Sequence, residues 1–200
     1  MNTKRTIQVC LLSCCMTVAL SAQNAAKKYE IKSAIIQKEM TTMGQKMQST
    51  WYIDDFGQKE ALEMTVGSGL MKQQMLTVID SESVTTVNLK LKTGTRMKLP
   101  EESNVNYLQL TPEVKEKYAL KELGEEDIAG KSCKKYAMET TQAGQTMQIS
   151  TWIWKGIVLK SETSANGKVV SSETATKIQE DAAIPSGKLA IPANITVQEL

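Results

Sequence analysis

The chain has 200 residues, enough for one medium domain, and no histidine. That removes His-based triads, histidine zinc sites and any imidazole base. Lys and Arg total 24 against 22 Asp and Glu, so no basic excess points to nucleic acid. Aromatic residues are scarce, whereas methionines number 11.

Met1 to Arg5 is short and basic. Residues 7–20 are mostly apolar and uncharged, and Ala19-Leu20-Ser21-Ala22-Gln23 is a small-residue stretch of the kind signal peptidase cuts. In this order the three parts read as a secretory signal over 1–22, followed by a single domain over 23–200. The apolar run is too short to span a bilayer, so a periplasmic chain is expected, membrane-peripheral at most. Lipid attachment at Cys14 or Cys15 is the rival, through Leu11-Leu12-Ser13-Cys14. Met16 to Leu20 stays apolar where a lipoprotein would start a polar tether, so plain cleavage near Ala22 is preferred. Cleavage removes Lys4, Arg5, Cys10, Cys14 and Cys15, leaving 22 basic against 22 acidic residues. Cys133 then stands alone, with no internal disulfide to form.

The rest reads as antiparallel sheet. Tyr29 to Met40 alternates as a strand, and Gln45 to Ile53 places Met47, Trp51 and Ile53 on one face. Asp54-Asp55-Phe56-Gly57 turns the chain, and Glu60 to Val66 returns with Leu62, Met64 and Val66 on one side. Gln73 to Ile79 and Val84 to Leu91 form a second pair, closed by Thr93-Gly94. One helix is expected, with Thr111 as N-cap, Pro112 at its first position and Gly124 at its C-terminal cap. A loop over 125–130 leads to strands at Cys133 to Thr140, Thr146 to Trp154, Ile157 to Thr163 and Val169 to Ile178. Ile184-Pro185 and Ile191-Pro192 suit an extended finish.

An internal echo links Gly44-Gln45-Lys46-Met47-Gln48-Ser49-Thr50-Trp51 to Gly144-Gln145-Thr146-Met147-Gln148-Ile149-Ser150-Thr151-Trp152. The second copy carries one extra residue, Ile149. Either a bulge absorbs it or Trp51 and Trp152 face differently.

Few motifs carry chemistry. Ser132-x-x-Lys135, Ser164-x-Asn166 and Lys92-Thr93-Gly94 imitate serine β-lactamases, but in the wrong order, and Ser132 enters a strand rather than opening a helix. Acid pairs such as Asp54-Asp55 and the Glu125-Glu126-Asp127 run read as solvated turns, and no calcium-loop spacing is present. Cys133 has no histidine to activate it. The nine methionines after the signal read as core filler, as a pliable apolar binding surface, or as a soft Cu(I) site. Within a single strand Met40 would face away from Met43 and Met47.

Several strings resemble a known family: Thr42-Met43-Gly44-Gln45-Lys46-Met47; Glu60-Ala61-Leu62-Glu63-Met64; Ile128-Ala129-Gly130-Lys131-Ser132-Cys133-Lys134-Lys135-Tyr136; and Trp152-Ile153-Trp154-Lys155-Gly156-Ile157. They are similar to an uncharacterised family of exported bacterial proteins, common in Bacteroidetes. That family in turn distantly resembles the LolA/LolB outer-membrane lipoprotein carriers. The likeness runs from about Tyr29 to Ile195.

The resemblance implies a mainly β, α+β fold. The expected form is a strongly curved antiparallel half-barrel of about 9–11 strands, with one or two short helices over the concave face. It implies no catalytic residue, no metal and no cofactor. The implied role is non-enzymatic, holding a lipid or lipoprotein acyl chain in a hydrophobic cavity, by a protein expected to be a monomer with no nucleic-acid partner. The alternative is a cell-envelope interaction module with a filled core. An empty cavity of about 300 Å³ would cost ~7 kcal/mol, so the concave side must be filled, covered or occupied. The candidate lining residues are Met47, Trp51, Met64, Met75, Trp152 and Trp154. Trp152 and Trp154 share a face, either under the predicted helix or at the cavity mouth.

Overall fold

The computed structural model describes residues 27–42, 44–67, 72–99, 106–142 and 145–200. The expected signal segment, Met43, Met71 and Glu101-Glu102 lie outside these residues. Twelve strands form one open sheet: β1 (Ala34–Thr42), β2 (Gln45–Asp54), β3 (Lys59–Val66), β4 (Gln73–Ile79), β5 (Ser83–Asn88), β6 (Thr93–Lys98), β7 (Lys121–Ile128), β8 (Lys131–Gln142), β9 (Gln145–Trp154), β10 (Ile157–Ala165), β11 (Lys168–Glu180) and β12 (Thr196–Glu199). A helix, α1 (Pro112–Lys117), precedes β7. The sheet order is β12-β6-β5-β4-β3-β2-β1-β11-β10-β9-β8-β7. Every pair is antiparallel except β12 with β6, which is parallel. Twelve strands exceed the expected 9–11: the nine read individually from the sequence leave out β6, β7 and β12, and the parallel β12–β6 pair departs from an all-antiparallel sheet.

Each miss has a local cause. Thr93 opens β6 rather than closing a hairpin, because the turn is made earlier. The Asn88 side chain accepts hydrogen bonds from the Lys90 and Leu91 N–H groups, and Lys92 takes a left-handed φ of 57°. The helix starts as expected, with the Thr111 hydroxyl accepting from the Val114 N–H at 3.3 Å. It ends at Lys117 and not at Gly124, because Ala119 adopts φ 48° and the Leu120 N–H bonds back to the Lys115 carbonyl. Gly124 instead occupies an irregular step in β7, where pairing with β8 shifts between Glu122 and Glu125.

The first half of the sheet, β1 to β6, pairs without interruption. One face carries the rows Ile36–Trp51–Leu62–Thr77 and Lys38–Ser49–Met64–Met75. The opposite face carries Tyr52, Ala61, Leu76 and Val87, covered by Ile184, Leu189, Ile191 and Ile195 of the C-terminal tail. In the second half, Tyr136 and Ile153 pack against Leu120, Tyr107, Leu110 and Tyr118, the residues flanking α1. The helical segment therefore covers the Ile153 face, which corrects one of the two alternatives above, that Trp152 and Trp154 pack under it. Alternation places those tryptophans on the other side of β9.

Pairing shifts between Gln37 and Lys38 (opposite β11) and between Val158 and Lys160 (opposite β9) break the alternation where the halves join. The Trp51-bearing face of one half and the Trp152-bearing face of the other converge on one core. It comprises Tyr29, Ile31, Ala34, Ile36, Ile53, Ile128, Cys133, Trp152, Ile157, Leu159 and Ala175, with Trp51 and Trp154 packed against it. The second half curls, because β7 comes back to touch β11, four places along the sheet. Among the described residues no helix is long and apolar enough to cross a membrane.

Candidate functional site

Four of the six expected site residues, Met47, Trp51, Met64 and Met75, share one face of β2 to β4. The three methionines are half-buried. The β1–β2 hairpin also brings Met40 directly opposite Met47, which corrects the expectation that they would face apart. That expectation extended one strand through what is a turn. Trp152 and Trp154 lie in the other half and meet Trp51 only through the shared core.

Trp152 is 1% exposed. Its indole N–H donates to Glu126 Oε2 at 2.7 Å, and the Lys160 and Lys135 ammonium groups lie 4.1 and 4.5 Å from its ring centroid. Such a residue is held by protein on all sides, so it is a wall of the core. Trp154 is half-buried, beneath Lys131 and Lys155, both of which bond Glu180.

Sequence reasoning missed the polar groups on the Trp51 face. The Lys38 side chain is only 5% exposed; its Nζ donates to Glu173 Oε2 at 3.2 Å and lies 4.4 Å from the Trp51 ring centroid. Burial pulls its pKa below the ordinary lysine value, against the opposing pull of Glu173. Ser49, the direct cross-strand partner of both Lys38 and Met64, is 5% exposed, and its Oγ has no hydrogen-bond partner among the described residues. Buried Glu60 accepts from Lys28 Nζ at 2.9 Å and from the Tyr29 hydroxyl at 3.1 Å. Burial, and then Glu60, push the Tyr29 phenol upward. Tyr29 stands edge-on to Trp51, ring centroids 6.0 Å apart. Gly57, at φ 87°, permits this, since a Cβ there would lie 2.6 Å from the Tyr29 ring. The available signal was parity: Lys38 continues the series Ala34, Ile36, whose members are fully buried.

The motifs set aside as chemistry are also dispersed in space. Ser132 donates to Glu125, while Lys135 lies over Trp152, three residues along a strand and so on the other face. Cys133 is buried, and burial pushes its thiol up to about 11, the reverse of what a thiolate nucleophile needs. On the Tyr52 face an open groove of about 530 Å³ lies beside the tail, lined by Gln37, Gln48, Thr50, Glu63, Gln74 and Lys188. It is polar, and of the expected site residues only Met64 and Met75 border it.

The sheet resembles solved structures at low identity. An uncharacterized conserved protein from Thermus thermophilus matches with 12% identity and a TM-score of 0.59, over 87% of this chain and 94% of that one. A chain of the Pseudomonas aeruginosa MucA/MucB complex matches with 16% identity and a TM-score of 0.55, over 87% of this chain and 60% of that one. A putative outer membrane lipoprotein-sorting protein domain from Vibrio parahaemolyticus matches with 13% identity over 81% of this chain and 91% of that one, with a TM-score of 0.38, below the level of a shared fold. At these identities the first two likenesses speak for the fold alone. No curated protein matches the sequence. The family model for a domain of unknown function, DUF4412, matches residues 33–187, in line with the uncharacterised family to which the sequence strings pointed. The chain belongs to the DUF4412 family.

Proposed function

We propose that this protein is an exported, non-enzymatic binding module of the periplasm that receives an acyl chain, of a lipid or lipoprotein, on the Trp51 face of β2 to β4. The observation that carries the reading is the half-buried run of Met47, Met64 and Met75 beside a closed tryptophan core. Unbranched thioethers repack around apolar guests of varied shape, which suits a face that must exist both empty and filled. Trp51, itself half-buried at the border of the core, supplies a rigid wall. Trp152 belongs to the core against which Trp51 and Trp154 pack, and neither Trp152 nor Trp154 contacts the chain in this reading.

A second reading is an envelope interaction module without a small ligand. Full burial of Trp152, Ile157 and Leu159 within one packed core favours it. MucB, one of the matched solved structures, is described in complex with MucA. A protein partner is therefore the natural occupant under this second reading.

Native mass spectrometry of the protein purified from its own periplasm separates the two. A co-purifying lipid is expected; a bare chain, or one carrying only a protein partner, refutes the acyl-chain reading. The same spectrum gives the mature mass. A chain starting after Ser21, Ala22 or Gln23 is expected, and one starting at an acylated Cys14 or Cys15 would overturn plain export.

A further inference from the structure

The row Lys38–Ser49–Met64–Met75 sets two buried donors directly beside thioethers. Ser49 Oγ is shielded from solvent and has no hydrogen-bond partner among the described residues, a state that native proteins seldom tolerate without use. Among the described residues, Lys38 Nζ makes one hydrogen bond, to Glu173, although an ammonium carries three donors. Resting on the acyl-chain reading above, we infer that Ser49 and Lys38 form the polar handle of that face and receive the carbonyl-type oxygen at the head of an acyl chain, while its methylenes run along Met64 and Met75.

The chemistry selects this oxygen. Glu173 already offsets the Lys38 charge, so the pair suits one acceptor atom and not a phosphate dianion. An acceptor supplied by the guest satisfies a hydroxyl that the protein leaves unpaired, and the apolar neighbours strengthen that bond by excluding water. Met47 and Met64, which flank Ser49 on this face, are half-buried and unbranched, so they can repack around a guest. The same oxygen occurs on a free fatty acid and on an esterified or amide-linked acyl group.

The test titrates the mature chain with three fluorescent probes: cis-parinaric acid, its methyl ester, and diphenylhexatriene, which has the apolar body and no oxygen. Wild type is expected to bind all three. Ser49→Ala is expected to weaken either the acid alone or both the acid and the ester about fivefold to tenfold, with diphenylhexatriene unchanged, since one hydrogen bond is lost and no apolar contact. Loss on the acid alone identifies a free carboxylate as the natural head, and loss on both identifies the acyl carbonyl. Lys38→Met should act in the same direction; Ser49→Ala, which removes only a hydroxyl, carries the test if Lys38→Met does not fold. Ser49→Ala binding every probe like wild type overturns this inference and leaves the acyl-chain reading standing. Wild type binding none of the three overturns both.

Discussion

Trp152 offers the sharpest test of whether the tryptophans are structure or site. Truncating a buried indole to Ala should cost about 4 kcal/mol, from lost transfer energy and the void left behind. That is a large share of a domain's typical ~5–15 kcal/mol. Trp152→Phe isolates the polar part. It keeps most of the ring and deletes the 2.7 Å bond to Glu126. A bond to a charged acceptor is worth about 1.5–3 kcal/mol. The Glu126 side chain is 48% exposed and regains water when the donor goes, so the lower end applies. With weaker attraction of Lys135 and Lys160 to the smaller ring, about 2 kcal/mol is expected. Urea unfolding followed by far-UV circular dichroism measures both, read as a midpoint shift at constant slope. A double-mutant cycle with Glu126→Ala should return about 1 kcal/mol of coupling. Trp152→Ala costing under about 1 kcal/mol would refute the reasoning, because a residue packed on all sides cannot be removed so cheaply.

Two further outcomes follow from the buried titratable groups. Cys133, with its thiol pushed up to about 11, should resist alkylation at pH 8 in the native state and react readily in denaturant; rapid native labelling would contradict its burial. The Lys38 pKa is lowered in the folded state, so between that lowered value and the ordinary 10.5 the unfolded chain binds the extra proton. Stability of wild type relative to Lys38→Met should therefore rise with pH through that window and level off above it. Parallel stability curves for the two proteins from pH 7 to 10 would show that Lys38 is not buried as a charge.

The sheet was legible because its hairpins announce themselves. Asp54 to Gly57 and Asn166-Gly167 are turn sequences between alternating runs, and Asp55 to Gly57 and Asn166-Gly167 fall between strands. β7 was illegible for the opposite reason. Lys-Glu-Leu-Gly-Glu-Glu-Asp-Ile carries no alternation of burial, since seven of its eight residues are exposed at an edge. Its pairing with β8 holds it in the sheet, and no local sequence signal reports a partner strand. The site was half legible. Alternation found Met47 and Trp51, and Met64 on the neighbouring strand, because period two is a local property. Lys38 and Ser49 were missed because a buried lysine becomes credible only when Glu173 is seen beside it, 135 residues away. Trp152 was read as a site residue because both faces of its strand end apolar. The structure gives each face its own cover, Trp152 within the core and Ile153 beside the residues that flank α1.

The internal echo explains why the first half sets a thioether beside the serine on its tryptophan face, whereas the half-buried Met138 and Met147 of the second half lie on the Ile153 face. In β2, Met47, Ser49 and Trp51 lie two apart and share a face. In β9 the Ser-x-Trp spacing survives as Ser150 and Trp152, but Ile149 precedes it. β9 pairs with β8 without any shift, so no bulge absorbs the extra residue. Every side chain before Ile149 is thereby turned over, which puts Gln148 where Met47 stands in the first copy and sends Met147 to the Ile153 face. The tryptophans of both copies still reach the shared core, because the irregular steps in β10 and β11 shift the alternation between the halves. One inserted residue thus separates the two roles. The second half closes a core around Trp152, and the first keeps Met47, Met64 and Met75 half-open beside an unpaired hydroxyl.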